Sequence, residues 1–151
     1  MLRLSKLADY AIFILVKLGR MDGLTTASSL AVETGIPEPT VAKLLKTLAA
    51  HKIVRSSRGA RGGYSLINDL GDVSVASVIM AVDGPVMVTA CCDGNSCLHE
   101  EKCGLSVQWD RINDSLKEVL EKVSLADMGD PQFVRLPPAC CGGGTTVKAV
   151  L

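Results

Sequence analysis

Aromatic residues are scarce, making up 3% of a 151-residue chain that is 48% apolar. A core with so few rings must be aliphatic, a bias that suits helices more than a β-sandwich. The apolar share excludes a disordered chain. The length suits one domain, with at most a small appendage, that buries a core without staples. A long hydrophobic run is also missing. Residues 10–18 are largely apolar, but Lys17 and Arg20 close the stretch, short of the ~20 residues a membrane span requires. The start, Met1-Leu2-Arg3-Leu4-Ser5-Lys6, lacks the plan of a signal peptide. The expectation is a cytoplasmic protein with no membrane partner. In that compartment thiols stay reduced, so clustered cysteines are metal ligands or redox groups rather than disulfides.

Net charge is absent too, at +0, but the balance hides an asymmetry. Residues 1–70 hold ten Lys/Arg against five Asp/Glu, a difference of +5, and residues 71–151 hold six against eleven, a difference of −5. No acidic residue falls within 39–68, where Lys43, Lys46, Lys52, Arg55, Arg58 and Arg61 all lie. A neutral chain with one basic stretch points to one polyanion-binding face.

The periodicity predicts a mainly α fold with a small β-hairpin. A first helix over 5–20 is capped by Ser5 and carries an apolar stripe of Leu7, Ala11, Ile14, Leu15 and Leu18, widened by Ile12 and Val16. Asp9 is the odd residue in it. By position alone it is a surface carboxylate favoured by the helix N-terminus. A second helix over 26–34 is broken by Gly35-Ile36-Pro37, and a third follows with Pro39 near its first position. Val41, Leu44, Leu45 and Leu48 give the third helix a buried face, while Thr40, Lys43 and Thr47 lie opposite with Lys46 nearby. This is a helix-turn-helix pattern. Strands over 53–56 and 64–67 then flank Ser57-Arg58-Gly59-Ala60-Arg61-Gly62-Gly63, a basic and sterically small tip. Following a helix-turn-helix, such a hairpin reads as a wing. The strand–glycine loop–helix order of a nucleotide-phosphate cradle is absent. A short helix over 74–82 leads onward. A long one from about Gly104 to Leu125 carries Leu105, Trp109, Ile112, Leu116, Val119 and Val123 at steps of 4, 3, 4, 3 and 4, a heptad seam suited to dimerisation. Pro131, Pro137-Pro138 and Gly142-Gly143-Gly144 argue against regular structure in 129–151.

Between these helices Cys91, Cys97 and Cys103 stand at equal steps of six, with Cys92 beside the first. Structural zinc sites usually use close pairs, two to four residues apart. Five-residue gaps in a loop suit a larger soft-ligand object such as an iron–sulfur cluster. Three thiolates leave one position open, for which Cys92, His99 and an oxygen donor such as Asp9 are candidates. Cys140-Cys141 in the tail has no assigned role.

With these pieces in order, the chain resembles the IscR/NsrR-type iron–sulfur winged-helix regulators, and within them the branch controlling the SUF cluster-assembly genes. The resemblance covers residues 1 to about 128. It rests on Leu4-Ser5-Lys6 with Tyr10-Ala11, on Arg58-Gly59-Ala60-Arg61-Gly62-Gly63-Tyr64, on Ile79-Met80-Ala81-Val82-Asp83, on the Cys-x5-Cys-x5-Cys loop and on Trp109. It implies a cluster held by Cys91, Cys97 and Cys103, with 2Fe–2S preferred over 4Fe–4S. The histidine that IscR uses three residues after the third cysteine is Ser106 here, so that ligand does not carry over. The acidic residue used early in the first helix by nitric-oxide-sensing relatives matches Asp9, which implies Asp9 of the partner subunit as fourth ligand and Cys92 as the alternative.

The expected protein is a homodimeric transcription factor, a probe of cluster supply that represses cluster-assembly genes. Residues 1–83 form the winged helix-turn-helix, with 1–20 also at the dimer contact. Residues 84–104 form the cluster loop, 105–128 the dimerisation helix and 129–151 a flexible tail. Double-stranded promoter DNA is contacted by Thr40, Lys43 and Lys46 in the major groove, and by Arg55, Arg58, Gly59, Arg61 and Gly62 from the wing. No enzymatic activity and no small-molecule substrate are expected. The competing readings are a nitric-oxide or redox sensor of the same fold, a zinc-stabilised regulator, and a cluster-containing electron-transfer protein.

Overall fold

The computed structural model describes residues 4–59, 62–89, 92 and 103–131. Helix α1 (Lys6–Leu18) begins where the Ser5 hydroxyl accepts the Ala8 N–H, at 3.0 Å. It is the spine of the core. Ala8, Ala11, Ile12, Ile14, Leu15, Val16 and Leu18 are buried against the helices that follow. Leu7 departs from the predicted stripe and is 40% exposed. It lies on the side of Ile14 but two turns earlier, near the start of the helix.

Helix α2 (Ala27–Thr34) is capped by Thr26, which accepts the Ser29 N–H, and ends at Gly35 in the left-handed region. Helix α3 (Glu38–Ala50) carries Pro39 in its first turn and buries Val41, Leu44, Leu45 and Leu48, the predicted face. Strands β1 (Val54–Ser57) and β2 (Gly63–Leu66) pair antiparallel, Val54 opposite Leu66 and Ser57 opposite Gly63. The ladder lies one residue nearer the tip than the sequence suggests. Ile53 and Ile67 are still joined just outside it, the Ile67 N–H donating to the Ile53 carbonyl at 3.1 Å. Thr25 adds a third edge, exchanging both backbone hydrogen bonds with Tyr64 at 3.0 and 2.8 Å. The hairpin is thereby fixed to the turn between α1 and α2.

A 3-10 turn at Leu70–Asp72 leads to α4 (Val75–Asp83), capped by Ser74. After the cysteine loop come α5 (Ser106–Lys122) and α6 (Leu125–Gly129). One helix was expected to run through to Leu125. Instead Val123 is extended, and its carbonyl accepts the Val75 N–H at 2.8 Å. The Leu125 N–H donates to Val73 at 2.9 Å. Ser124 restarts the helix with a capping box, its hydroxyl accepting the Asp127 N–H while the Asp127 carboxylate accepts the Ser124 N–H. The break anchors the chain: Val123 and Leu125 enter the core beside Val73 and Val75. Arg20 also donates to the Gly129 carbonyl, tying α6 to the end of α1. Among the described residues no helix is long and apolar enough to cross a membrane.

Candidate nucleic-acid interface and cysteine loop

The elbow between α2 and α3 is held by the Ser28 hydroxyl, which donates to the Glu38 carboxylate at 2.5 Å. With its apolar face buried, α3 leaves Lys43 and Lys46 exposed and Thr40 half-buried near its start. The Thr47 hydroxyl donates back to the Lys43 carbonyl at 3.2 Å, so this threonine is partly occupied by its own helix. On β1 the alternation of a strand places Val54 inward and Arg55 in solvent, opposite Ser65. Arg58 and Gly59 are exposed at the tip, while Arg61 lies outside the described residues. Among the described residues Lys43, Lys46, Arg55 and Arg58 take part in no ion pair. Four uncompensated cations thus lie on the outer side of one helix and one hairpin.

Two glycines make the tip what it is. A Cβ on Gly62 would stand 2.4 Å from the Ser57 carbonyl oxygen, and one on Gly63 would stand 2.8 Å from that of Thr25. Neither position has room for a side chain. Glycine at 62 and 63 is therefore a packing requirement of the wing, and bare backbone suits close approach to a nucleic-acid groove.

The cysteine loop leaves the core at the end of α4. Asp83 there accepts a 2.6 Å hydrogen bond from the Ser5 hydroxyl. Two stretches far apart in sequence, Leu4-Ser5-Lys6 and Ile79–Asp83, meet in this bond. Farther along, the Val88 N–H donates to Oδ1 of Asn113 at 3.2 Å. Asn113 is 2% exposed in the middle of α5. The Cys92 N–H then donates to the Thr89 carbonyl at 3.1 Å, and the Cys92 thiol lies 3.4 Å from the Thr89 hydroxyl. Cys92 is half-buried and engaged by its neighbour, whereas Cys103 is exposed at the entry to α5. Cys91, Cys97 and His99 lie outside the described residues, as do Cys140 and Cys141. Among the described residues no three potential metal ligands are gathered in one place. Asp9 is exposed on the first turn of α1, at the edge of a shallow 250 Å³ depression lined by Tyr10, Ile12, Phe13, Val16 and Met128.

The predicted seam of α5 divides in two. Trp109 and Leu116 are half-buried and Val123 is buried, so they turn toward their own chain. Leu105, Ile112 and Val119 are 51%, 47% and 37% exposed. Leu116 also borders a shallow groove with Arg111, Ile112, Ser115 and Val119. The inward line runs Trp109, Asn113, Leu116, Leu120 and Val123. Asn113 was not singled out from the sequence, although a polar residue four after Trp109 and three before Leu116 is the signal that marks it. Lys122 and Glu118 form the expected i,i+4 pair at 2.6 Å. The hydrogen bond and charge of Lys122 lower the Glu118 pKa.

This arrangement, a helix-turn-helix with a glycine-tipped wing and a long helix after a cysteine loop, has known relatives. The sequence profile of Rrf2, described as an iron-dependent transcriptional regulator, matches residues 4–131. The chain belongs to the Rrf2 family. Rrf2 relatives include the HTH-type transcriptional regulator IscR of Cronobacter sakazakii, 30% identical over 135 residues, spanning 88% of this chain and 83% of that one. Among solved structures, CymR, the global cysteine regulator of B. subtilis, is 28% identical with a TM-score of 0.69, over 85% of this chain and 97% of that one. T. potens IscR is 26% identical with a TM-score of 0.62, over 84% and 85%. This Rrf2 protein is thus a DNA-binding transcriptional regulator of winged-helix fold, not an enzyme.

Proposed function

We propose that this Rrf2 protein is a homodimeric repressor of iron–sulfur cluster assembly genes that senses cluster supply through its cysteine loop. The observation that carries this reading is the placement of the Cys-x5-Cys-x5-Cys run between α4, which ends the DNA-binding head, and α5, which leaves an apolar stripe in solvent. The description of the Rrf2 family as iron-dependent regulators supports an iron-containing cofactor.

The donor set fits a cluster in its chemistry. Cys91, Cys97 and Cys103 supply three soft thiolates, and the Cys103 thiol is exposed and available. Cys92, turned to Thr89, is the weaker fourth candidate. Asp9 and Phe13 sit one turn apart on the exposed side of α1, so a partner packed there would find a carboxylate at the contact. By its match to the acidic ligand of the nitric-oxide-sensing relatives, Asp9 of the partner subunit is the proposed fourth ligand. A bound cluster would supply a redox- and iron-responsive link between the cysteine loop and the helices packed around it.

In the dimer, Leu105, Ile112 and Val119 face a second copy of α5. Burial of such side chains yields roughly 1.5–3 kcal/mol each, against an association cost of about 4–15 kcal/mol. The α5 stripe is marginal alone, so Leu7 and Phe13 of α1, exposed at 40% and 42%, complete the interface. Thr40, Lys43 and Lys46 enter the major groove, and Arg55, Arg58 and Arg61 with Gly59 and Gly62 reach the phosphates or the adjacent minor groove.

Anaerobic purification tests the cofactor. The expected product is coloured and contains stoichiometric iron and acid-labile sulfide, and Mössbauer spectra distinguish 2Fe–2S, the preferred form, from 4Fe–4S. A colourless protein with stoichiometric zinc would overturn the sensor reading. Replacement of Asp9 by Ala should shorten the cluster's lifetime in air, and an unchanged spectrum and lifetime would return Asp9 to a surface role.

A further inference from the structure

Asn113 is unusual in its surroundings. It is 2% exposed, and it shares the inward face of α5 with Trp109, Leu116, Leu120 and Val123. A buried amide is retained at a cost unless its hydrogen bonds are made. Its Oδ1 receives the Val88 N–H at 3.2 Å, across 25 residues of sequence. From that bond the chain runs through Thr89, whose carbonyl and hydroxyl engage Cys92. Ten and twelve residues beyond Asn113, just past the end of α5, Val123 and Leu125 are joined by backbone hydrogen bonds to Val75 and Val73 at the start of α4. So α5 touches the entrance to the cysteine loop at its middle and the DNA-binding head at its end.

We propose that Asn113 is the positioning residue of the cysteine loop: it clips the loop's entrance, at Val88, onto α5, so that a change in the state of the loop is passed along a rigid helix to the Val73–Val75 anchor of the head. The clip itself concerns the metal-free chain. Its regulatory role rests on the reading of the loop as a cluster site.

The test uses the full chain, first without metal. Amide exchange at Val88 should be protected in the native protein, and Asn113→Leu, close in volume but without an acceptor, should speed it by about tenfold, the scale of one net hydrogen bond. Alkylation of Cys92 by iodoacetamide should rise several-fold in the same variant. Asn113→Asp keeps an oxygen at the same atom and should restore both toward the native rates, which a general loss of packing would not do. The cluster-loaded Asn113→Leu protein should lose its cluster faster in air and show a smaller cluster-dependent change in operator affinity. Unprotected exchange of Val88 in the native chain overturns the clip whatever the variants do, and so does an Asn113→Leu protein with native exchange and alkylation. Native protein that never acquires iron and sulfide, while the metal-free rates shift as described, would sink the cluster reading and with it the regulatory role, leaving the clip as a structural contact.

Discussion

At the scale of single residues, the wing depends on one glycine. Gly63 has no room for a side chain because the Thr25 backbone lies against it, and that backbone carries the two hydrogen bonds fixing the wing to the α1–α2 turn. Gly63→Ala should therefore destabilise the fold by roughly 1–3 kcal/mol, the range of overpacking in a tight site, and shift the urea midpoint downward. Gly71→Ala, which meets nothing within 4 Å, should stay within about 0.5 kcal/mol of the native chain. Equal midpoints for the two variants would contradict the close approach. Asp127 acts through its charge instead. The Ser124 hydroxyl and then the Ser124 N–H hold its carboxylate below the usual range, against a small opposing effect of burial. A carboxyl with a folded pKa below its unfolded value, about 3.9, stabilises the fold above that value. The contribution is lost as pH falls through the folded pKa. Acid unfolding curves of Asp127→Asn should lack this component below pH ~4 and match the native chain more closely there than at neutral pH; identical curves at every pH would remove Asp127 from the account.

At the scale of elements, α5 serves two masters. Its inward line holds Asn113 and Leu120 against its own chain, and its flank leaves Leu105, Ile112 and Val119 in solvent. Ile112→Glu changes only the solvent flank, so the monomer should fold normally by circular dichroism. In the proposed dimer it buries an unpaired carboxylate at roughly 3–5 kcal/mol, more than a hundredfold in Kd. Sedimentation should then find monomer at micromolar concentration, and an undiminished dimer would place the interface elsewhere. The exposed Glu118–Lys122 pair on the same helix should matter little to stability, as pairs of that kind do.

At the scale of the whole molecule, the basic head and acidic remainder set the response to salt. If each subunit of a dimer neutralises three or four phosphates through Lys43, Lys46, Arg55, Arg58 and Arg61, log K for operator DNA should fall against log salt with a slope of roughly −5 to −7. Fluorescence anisotropy between 50 and 300 mM salt, taken as an approximate working range, measures this directly. A slope near zero would exclude this face as the DNA interface, whatever the cofactor.

The sequence by itself determined the order of the helices, the wing, the cap at Ser5 and the buried face of α3. Those features follow from local periodicity and from side chains that bond within their own turn. It also marked the cysteine spacing, because chemistry of that kind is carried by residue type and interval. The tertiary structure alone decided the features that depend on residues distant in sequence. Thr25 became a third strand edge only because Tyr64 returns beside it. The long helix broke at Val123 because Val75 and Val73 offer its backbone partners there, a competition that heptad counting does not see. The seam divided because one wide apolar face met a core on one side only. Asn113, a single polar residue in that face, acquired meaning only when Val88 was found against it.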